Sequence, residues 1–455
     1  MQRKAILRLA VVAAAVCGVG TLALSNSGAR VEMPTPPAGM APLVGDGAKF
    51  AYYNLEFLPD GFPARRTSDG LIPHPIYGTY VLINYLDQHD LDPQPAVLES
   101  AKKIADLAVA RMTTRRDALV FLYPPGLASM TGEYYSGLTQ AHYLTAFRRL
   151  HKKTEDPKHA DAAARILNSL LIPVSEGGVL KQTSYGPVLE EWPHEIPSYT
   201  LNGWTSTLLA VHSYAEYSGS ARAKQLFNDS VKALEAMLPL YDVPSVANTR
   251  YRLSGQAQIR LNFTKPARLI AFSTEIPGEG KFAAKDGSKS IWDNHIRTEK
   301  PSQITLNAVL NRITHPKPNV LHFTIEASEA GETSVLIGTG PYDPGVTGLS
   351  VKAWDEIAKV SLEAGRNEIT LPVPWHQAEL VAYPTNFKKK IAGKFYNSYH
   401  FIHVATLRSL HTISGLQGLK VYADKWDGYT ALWPEMHQYK NADIQLTRYG
   451  TQKSN

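Results

Sequence analysis

The chain carries one cysteine, Cys17, in 455 residues. It can therefore close no intrachain disulfide and offers no thiolate zinc site. It also lacks a strong charge of either sign. Its 47 basic and 41 acidic side chains leave a formal +6, too mild for a nucleic-acid-binding surface, and a long polyanion would need a local basic groove. No Gly-rich phosphate loop, serine-hydrolase elbow or repeat of fixed period is present. His400 and His403 are a two-histidine pair without a third ligand, a poor zinc signal, so neither a metal nor a cofactor is expected. Past the first thirty residues no apolar run is long enough to cross a bilayer. What is present, 44% hydrophobic and 19% charged residues, excludes disorder and collagen-like order. The length leaves room for two or three domains.

The N-terminus stands apart. Arg3, Lys4 and Arg8 precede the uncharged run Leu9 to Leu24, and Ser25-Asn26-Ser27 follow. This is the pattern of an export signal over residues 1–30, cleaved or kept as a signal anchor. Ala14-Ala15-Val16-Cys17 is similar to a lipoprotein box, with a poorly fitting Val before the Cys. Without the segment, which also holds Arg30, the balance is about +2. Residues 31–47 include Met33-Pro34-Thr35-Pro36-Pro37-Ala38-Gly39 and read as a Pro-rich linker, extended rather than packed. The remainder is expected to be exported, periplasmic or anchored facing the periplasm or the exterior.

Two patterns then alternate. Apolar residues spaced by three to four, such as Ile76, Tyr80 and Ile83, predict helices within 74–112. The same spacing predicts helices from Tyr135 to Leu150, over Ala160–Leu171, Leu201–Tyr217 and Ala221–Leu238, and again over Asn397–Thr412 and Leu416–Trp426. Between them, Gln256 to Phe263, Val320 to Ile325 and Asn367 to Leu371 alternate polar and apolar, with turn clusters such as Pro277-Gly278-Glu279-Gly280 between the runs. That predicts antiparallel strands. The expected class is α+β: an incomplete α/α toroid of paired helices with an inserted antiparallel β-sandwich. The expected divisions are 48–254 (helical), 255–384 (inserted), 385–430 (helical) and a tail over 431–455. Asn228-Asp229-Ser230 and Asn262-Phe263-Thr264 fit a glycosylation pattern that is common by chance.

The densest group of chemical side chains runs from Glu190 to Trp204. Glu190, Glu191, Trp192, His194 and Glu195 precede a helix start, and Pro193 and Pro197 forbid helix among them. Proline-held loops on a rigid scaffold are good places for catalytic groups. Taken alone, the cluster also reads as a solvated acidic loop with Ser198 as an N-cap.

Several blocks together resemble the C-terminal helical domain of D-glucuronyl C5-epimerases. They are Glu191-Trp192-Pro193, Pro197-Ser198, Leu201-Asn202-Gly203, Ala236-Met237-Leu238-Pro239-Leu240-Tyr241-Asp242, the tyrosine Tyr251, the helix bearing Ser136, Gln140 and His142, and Tyr399-His400-Phe401-Ile402-His403. The resemblance spans about 70–250 and 395–430. It departs where Trp192 replaces a tyrosine, where Ser254 stands for an arginine with Arg252 as substitute, and where 255–384 separates blocks that adjoin in the family.

The resemblance implies a uronate C5-epimerase acting on an acidic polysaccharide. Removing the C5 hydrogen α to a carboxylate builds charge that must be stabilised, and inversion needs an acid/base group on each face of the ring. The resemblance implies that Glu191 and Tyr399 take the two faces. Tyr251 would donate to the substrate carboxylate, helped by Arg252 or His194. Trp192, Asn202, Gln140, His142, His400 and His403 are the further substrate-binding candidates. β-Elimination by a lyase and non-catalytic glycan binding during export stay open. So does an inverting glycosidase using Glu133 with Glu191. The expected partner is the acidic polysaccharide, not nucleic acid. A membrane tether through the N-terminal segment and a homodimer are left open.

Overall fold

Prolines, caps and apolar spacing divide the helical part into eight α-helices among the described residues. In the computed structural model these are residues 32–45, 50, 53–125, 127, 130, 132–288, 290, 292–300, 302–340, 342, 351–381, 384–391, 393–440 and 442–448. The helices are α1 (Pro75–Leu91), α2 (Pro95–Val109), α3 (Gly137–Thr154), α4 (Pro157–Ser169), α5 (Leu201–Ser218), α6 (Ala221–Tyr241), α7 (Ser398–Ser414) and α8 (Gln417–Leu432). Pro75, Pro95 and Pro157 occupy first turns, where the missing N–H has no helical partner to lose. Ser136, Asp156, Ser220 and Asn397 cap α3, α4, α6 and α7 by accepting a backbone N–H. Thr200, not Ser198, is the N-cap of α5.

The odd-numbered helices α1, α3, α5 and α7 pack side by side in chain order, and each also packs on the helix that follows it. Their sequences show which face which way. α5 is buried without a break from Leu201 to Val211, as an inner helix must be. α4 buries one stripe, including Ala162, Ala163, Ile166 and Leu167, and leaves the rest to solvent.

From Ser254 onward the period changes from 3.6 to 2. The strands are β1 (Ser254–Phe263), β2 (Ala267–Ile276), β3 (Gly280–Ala283), β4 (His295–Lys300), β5 (Gln303–Asn311), β6 (Val320–Ala327), β7 (Gly331–Thr339), β8 (Ala353–Leu362) and β9 (Gly365–Pro372). They form two sheets ordered β4-β5-β1-β7-β8 and β3-β2-β6-β9, with antiparallel pairs throughout. Ala257, Ile259 and Leu261 of the first sheet share one buried cluster with Leu321, Phe323 and Ile325 of the second. The helices have a larger apolar core of their own.

The two ends of this β region meet. Thr385 N–H donates to Thr249 O at 2.6 Å, and Arg250 bridges Pro384. Asn248 locks the junction. Its Nδ2 donates to Thr385 O (2.6 Å), and its Oδ1 accepts from Thr385 Oγ1 (2.6 Å) and Asn397 Nδ2 (3.2 Å) and lies 3.2 Å from His400 Nδ1. A chain that leaves the helices at residue 250 therefore returns to the same place to begin α7. On the other side, the β2–β3 turn reaches back to the helical part through Glu279, which pairs with Lys181 at 2.6 Å and accepts from Tyr199 Oη at 2.7 Å.

Two expectations are corrected here. Residues 41–44 of the Pro-rich stretch are not loose: Ala41 and Leu43 are buried, and Tyr85 Oη donates to Ala41 O at 2.7 Å. Likewise 431–440 is no tail. Trp433 and Tyr439 are buried, and they donate to Ala247 O and Val246 O at 2.8 and 2.7 Å. Residues 1–30, with the expected export signal, lie outside the described residues. Among the described residues no helix is long and apolar enough to cross a membrane.

Candidate active site

The hairpin Leu180–Thr183/Gly186–Leu189 runs directly into Glu190 and Glu191. Neighbouring side chains on an extended chain point opposite ways, and these two have different surroundings. Glu190 accepts from Ser198 Oγ at 2.9 Å and from Tyr199 N–H at 3.0 and 3.1 Å. Tyr199 is held at φ 53°, in the left-handed region, with Tyr241 Oη donating to its carbonyl at 2.7 Å. The Tyr241 of the family-like block thus holds the turn before α5. Asp242 beside it accepts from Trp426 Nε1 and Tyr429 Oη at 3.0 and 2.8 Å, fastening α8. Burial pushes the Glu190 carboxyl up to about 7, against the hydrogen bonds from Ser198 and Tyr199.

Glu191 has no such partners. It is buried, its Oε2 makes no hydrogen bond, and it lies against Gly203 in the first turn of α5. A Cβ at 203 would come within 2.6 Å of Oε2 and 2.8 Å of the Glu191 Cβ, so glycine is what admits the carboxylate there. Burial, and then the Glu190 charge, push the Glu191 carboxyl up to about 8. Three phenols answer to it. Burial holds Tyr123, Tyr134 and Tyr251 above the ordinary phenol range, and the Glu191 charge pushes each further. The Tyr251 and Tyr399 rings meet edge to face with centroids 4.6 Å apart. Tyr399 is 38% exposed and Glu191 is buried, so the phenol meets solvent and the carboxyl does not.

The fold thus gathers Glu191, Tyr251 and Tyr399, which lie far apart in sequence, and half-buried Trp192 stands edge-on to Tyr123 and Tyr134 at 6.0 and 5.6 Å. His194 and Arg252 form a second group around Trp292, a residue of the β region. The His194 ring stacks on Trp292 at 3.8 Å, and the Arg252 guanidinium lies 4.0 Å over it. Burial, with the Arg252 and Lys285 charges, brings His194 down to about 3, so the ring is neutral. Asn202 is buried with Oδ1 unbonded. His142 is buried and its Nδ1 lies 3.4 Å from Thr79 Oγ1. Its ring is 6.3 Å from Tyr80, whose phenol feels Tyr399.

Other candidates are placed elsewhere. Gln140 is spent on the scaffold: Nε2 donates to Leu119 O and Ser169 Oγ at 2.7 and 2.9 Å, and Oε1 accepts from Phe121 N–H at 3.1 Å. His400 is fully buried between Asn248 and Trp426 O (2.8 Å), and burial brings it down to about 4. His403 is buried beside Thr249 Oγ1 at 2.9 Å. These three hold helices together instead of lining the cleft, because each faces the core from its helix. Glu133 is exposed, unlike Glu191. The loop is not the solvated acidic loop of the plainer reading, since Glu190, Glu191 and His194 are all buried. Sequence reasoning missed Tyr134, Tyr80 and Trp292. Nothing in their spacing sets them apart from other aromatics of the chain.

Comparison with known proteins covers the segment that carries Tyr134, Glu191, Trp192 and Tyr251, while Tyr123, Trp292 and Tyr399 lie outside it. Residues 125–264 match the family model described as the D-glucuronyl C5-epimerase C-terminus. The chain is 29% identical over 134 residues to D-glucuronyl C5-epimerase of Caenorhabditis elegans, covering 27% of this chain and 21% of that protein. It is 28% identical over 120 residues to an uncharacterised protein of Methanocaldococcus jannaschii, covering 26% and 39%. The chain therefore spans well under half the length of these relatives. Among solved structures, unsaturated glucuronyl hydrolase from Bacillus sp. GL1 is similar at 15% identity over 39% of this chain and 48% of that one, with a TM-score of 0.29. Cellobiose 2-epimerase from Spirochaeta thermophila is similar at 13% identity over 40% and 48%, with a TM-score of 0.27. Likenesses this slight carry no argument. The resemblance read in the sequence stands on the family match and the nematode relative.

Proposed function

We propose that this chain, which shares the C-terminal segment of the D-glucuronyl C5-epimerases, is an exported epimerase acting on uronate residues of an acidic polysaccharide. The proposed architecture is an incomplete α/α toroid interrupted by a β-sandwich. One observation carries the reading: Glu191 is a buried carboxyl without a hydrogen bond at Oε2, raised to about 8, and phenols surround it. A carboxyl poised near neutrality can take a proton from C5 and return one, which a carboxylate at its ordinary value does less well. Tyr399, exposed to solvent and in contact with Tyr251, is the proposed acid/base group for the other face. Arg252, which pulls against the rise of the Tyr251 phenol, supplies positive charge for the substrate carboxylate. Protonated Glu191 admits an anion without like-charge repulsion, and its ionised fraction is the base that takes the C5 proton.

The test is C5 hydrogen exchange in heavy water with a glucuronate-containing polysaccharide. Wild type should place deuterium at C5 of both epimers. Glu191→Gln and Tyr399→Phe should each stop inversion, and at least one should still exchange deuterium into a single epimer. New ultraviolet absorbance from an unsaturated uronate would instead identify a lyase. If both folded variants interconvert the epimers at the wild-type rate, the assignment is wrong.

A further inference from the structure

Of the aromatic side chains around Glu191, one buries a polar atom that the protein does not use. Tyr134 is 2% exposed, and its hydroxyl makes no hydrogen bond. Its ring stacks on Tyr123 with centroids 5.1 Å apart and planes 7° from parallel. Tyr123 N–H donates to Tyr134 O at 2.7 Å, so the backbones are paired as well. The two phenols differ in one respect. The Tyr123 hydroxyl is spent on Thr139 Oγ1 at 2.7 Å, whereas the Tyr134 hydroxyl is spent on nothing.

A phenylalanine at 134 would fill the same space without stranding a buried hydroxyl, and a stranded hydroxyl costs stability. Glu191 Oε2 is stranded in the same way, and the Glu191 charge acts on Tyr134. Half-buried Trp192, next to Glu191 in the chain, stands edge-on to the Tyr134 ring at 5.6 Å. Glu191 Oε2 and the Tyr134 hydroxyl are thus two unused polar groups of one aromatic cluster.

We propose that Tyr134 is a substrate-binding residue, its hydroxyl donating a hydrogen bond to a hydroxyl or carboxylate oxygen of the sugar seated on Glu191. The proposal rests on reading the Glu191 cleft as a uronate site. Tyr123, with its hydroxyl already engaged, is the scaffold behind it. Because burial keeps Tyr134 neutral, its role is to hold that sugar oxygen, not to carry the C5 proton.

Wild type, Tyr134→Phe and Tyr123→Phe are titrated calorimetrically with glucuronate oligosaccharides and with neutral oligosaccharides of equal length, and melted in parallel. Tyr134→Phe should melt at or above the wild-type temperature and bind uronate about tenfold more weakly. Tyr123→Phe should melt lower and keep its affinity. A Tyr134→Phe protein that binds like wild type overturns the proposal and leaves the epimerase reading standing. One that melts well below wild type shows the hydroxyl to be structural and overturns it too. If wild type binds only neutral sugars and Tyr134→Phe weakens that binding, Tyr134 stands and the uronate reading falls. If wild type binds none of these sugars, both fall.

Discussion

Replacing Glu191 by glutamine should stabilise this protein at alkaline pH while removing its activity. The unfolded chain releases the Glu191 proton near the ordinary 4.5, and the folded protein releases it near 8. Between those values the folded state holds a proton that the unfolded state has lost, so stability falls as pH rises. The contribution is fully present below about 4.5 and gone by about 8. At 1.36 kcal/mol per pH unit the ceiling is about 5 kcal/mol. Local relaxation and water entry lower the realised value to about 2 kcal/mol or more. Glutamine fills the same space, carries no proton to lose, and leaves the Glu190 titration in place as a background common to both proteins. The assay is a pair of thermal melts at intervals from pH 4 to pH 9. The two proteins should melt together near pH 4 and diverge above it, with the glutamine variant higher by about 4 °C or more at pH 8. If the two curves run parallel across the range, Glu191 is not held as a neutral buried acid, and the chemistry assigned to it loses its basis.

Two further outcomes follow from the packing around the same cleft. Gly203→Ala places a methyl 2.6 Å from Glu191 Oε2 and 2.8 Å from its Cβ. Displacement of the carboxylate should cut C5 exchange about a hundredfold, while the melting temperature shifts little because alanine's helix preference offsets part of the crowding. Unchanged exchange would show that Glu191 does not act from that position. Asn248→Ala removes the bonds to Thr385 O, Thr385 Oγ1 and Asn397 Nδ2 and the contact with His400 Nδ1, leaving Asn397 Nδ2 and Thr385 Oγ1 bonded to each other at 2.9 Å. It should cost about 3 kcal/mol in urea unfolding, and a loss under about 1 kcal/mol would show that the junction is held by other contacts.

The sequence by itself determined the local order of this protein. The 3.6-residue period is a short-range feature, so the helices could be read before any fold was known, whereas the caps Ser136, Asp156, Ser220 and Asn397 came from the structure, and Ser198, the one cap read in the sequence, gave way to Thr200. The change to period 2 after Ser254 was equally legible, as was the proline-held group from Glu190 to Pro197. The family-like blocks pointed to Glu191, Tyr251 and Tyr399 together. Only the tertiary structure decided which side chains are buried and what they meet. Gln140, His400 and His403 were substrate-binding candidates on their helices, but each faces the core, where Gln140 and His400 are bonded at both polar ends and His403 meets Thr249 Oγ1 through Nδ1 alone. Tyr134 and Trp292 looked like any other aromatics until the chain brought them to Glu191 and His194. The values near 7 and 8 for Glu190 and Glu191 are likewise invisible in sequence, because they are set by burial. Two adjacent, chemically identical side chains acquire different surroundings because one faces the N–H of Tyr199 and the other faces Gly203.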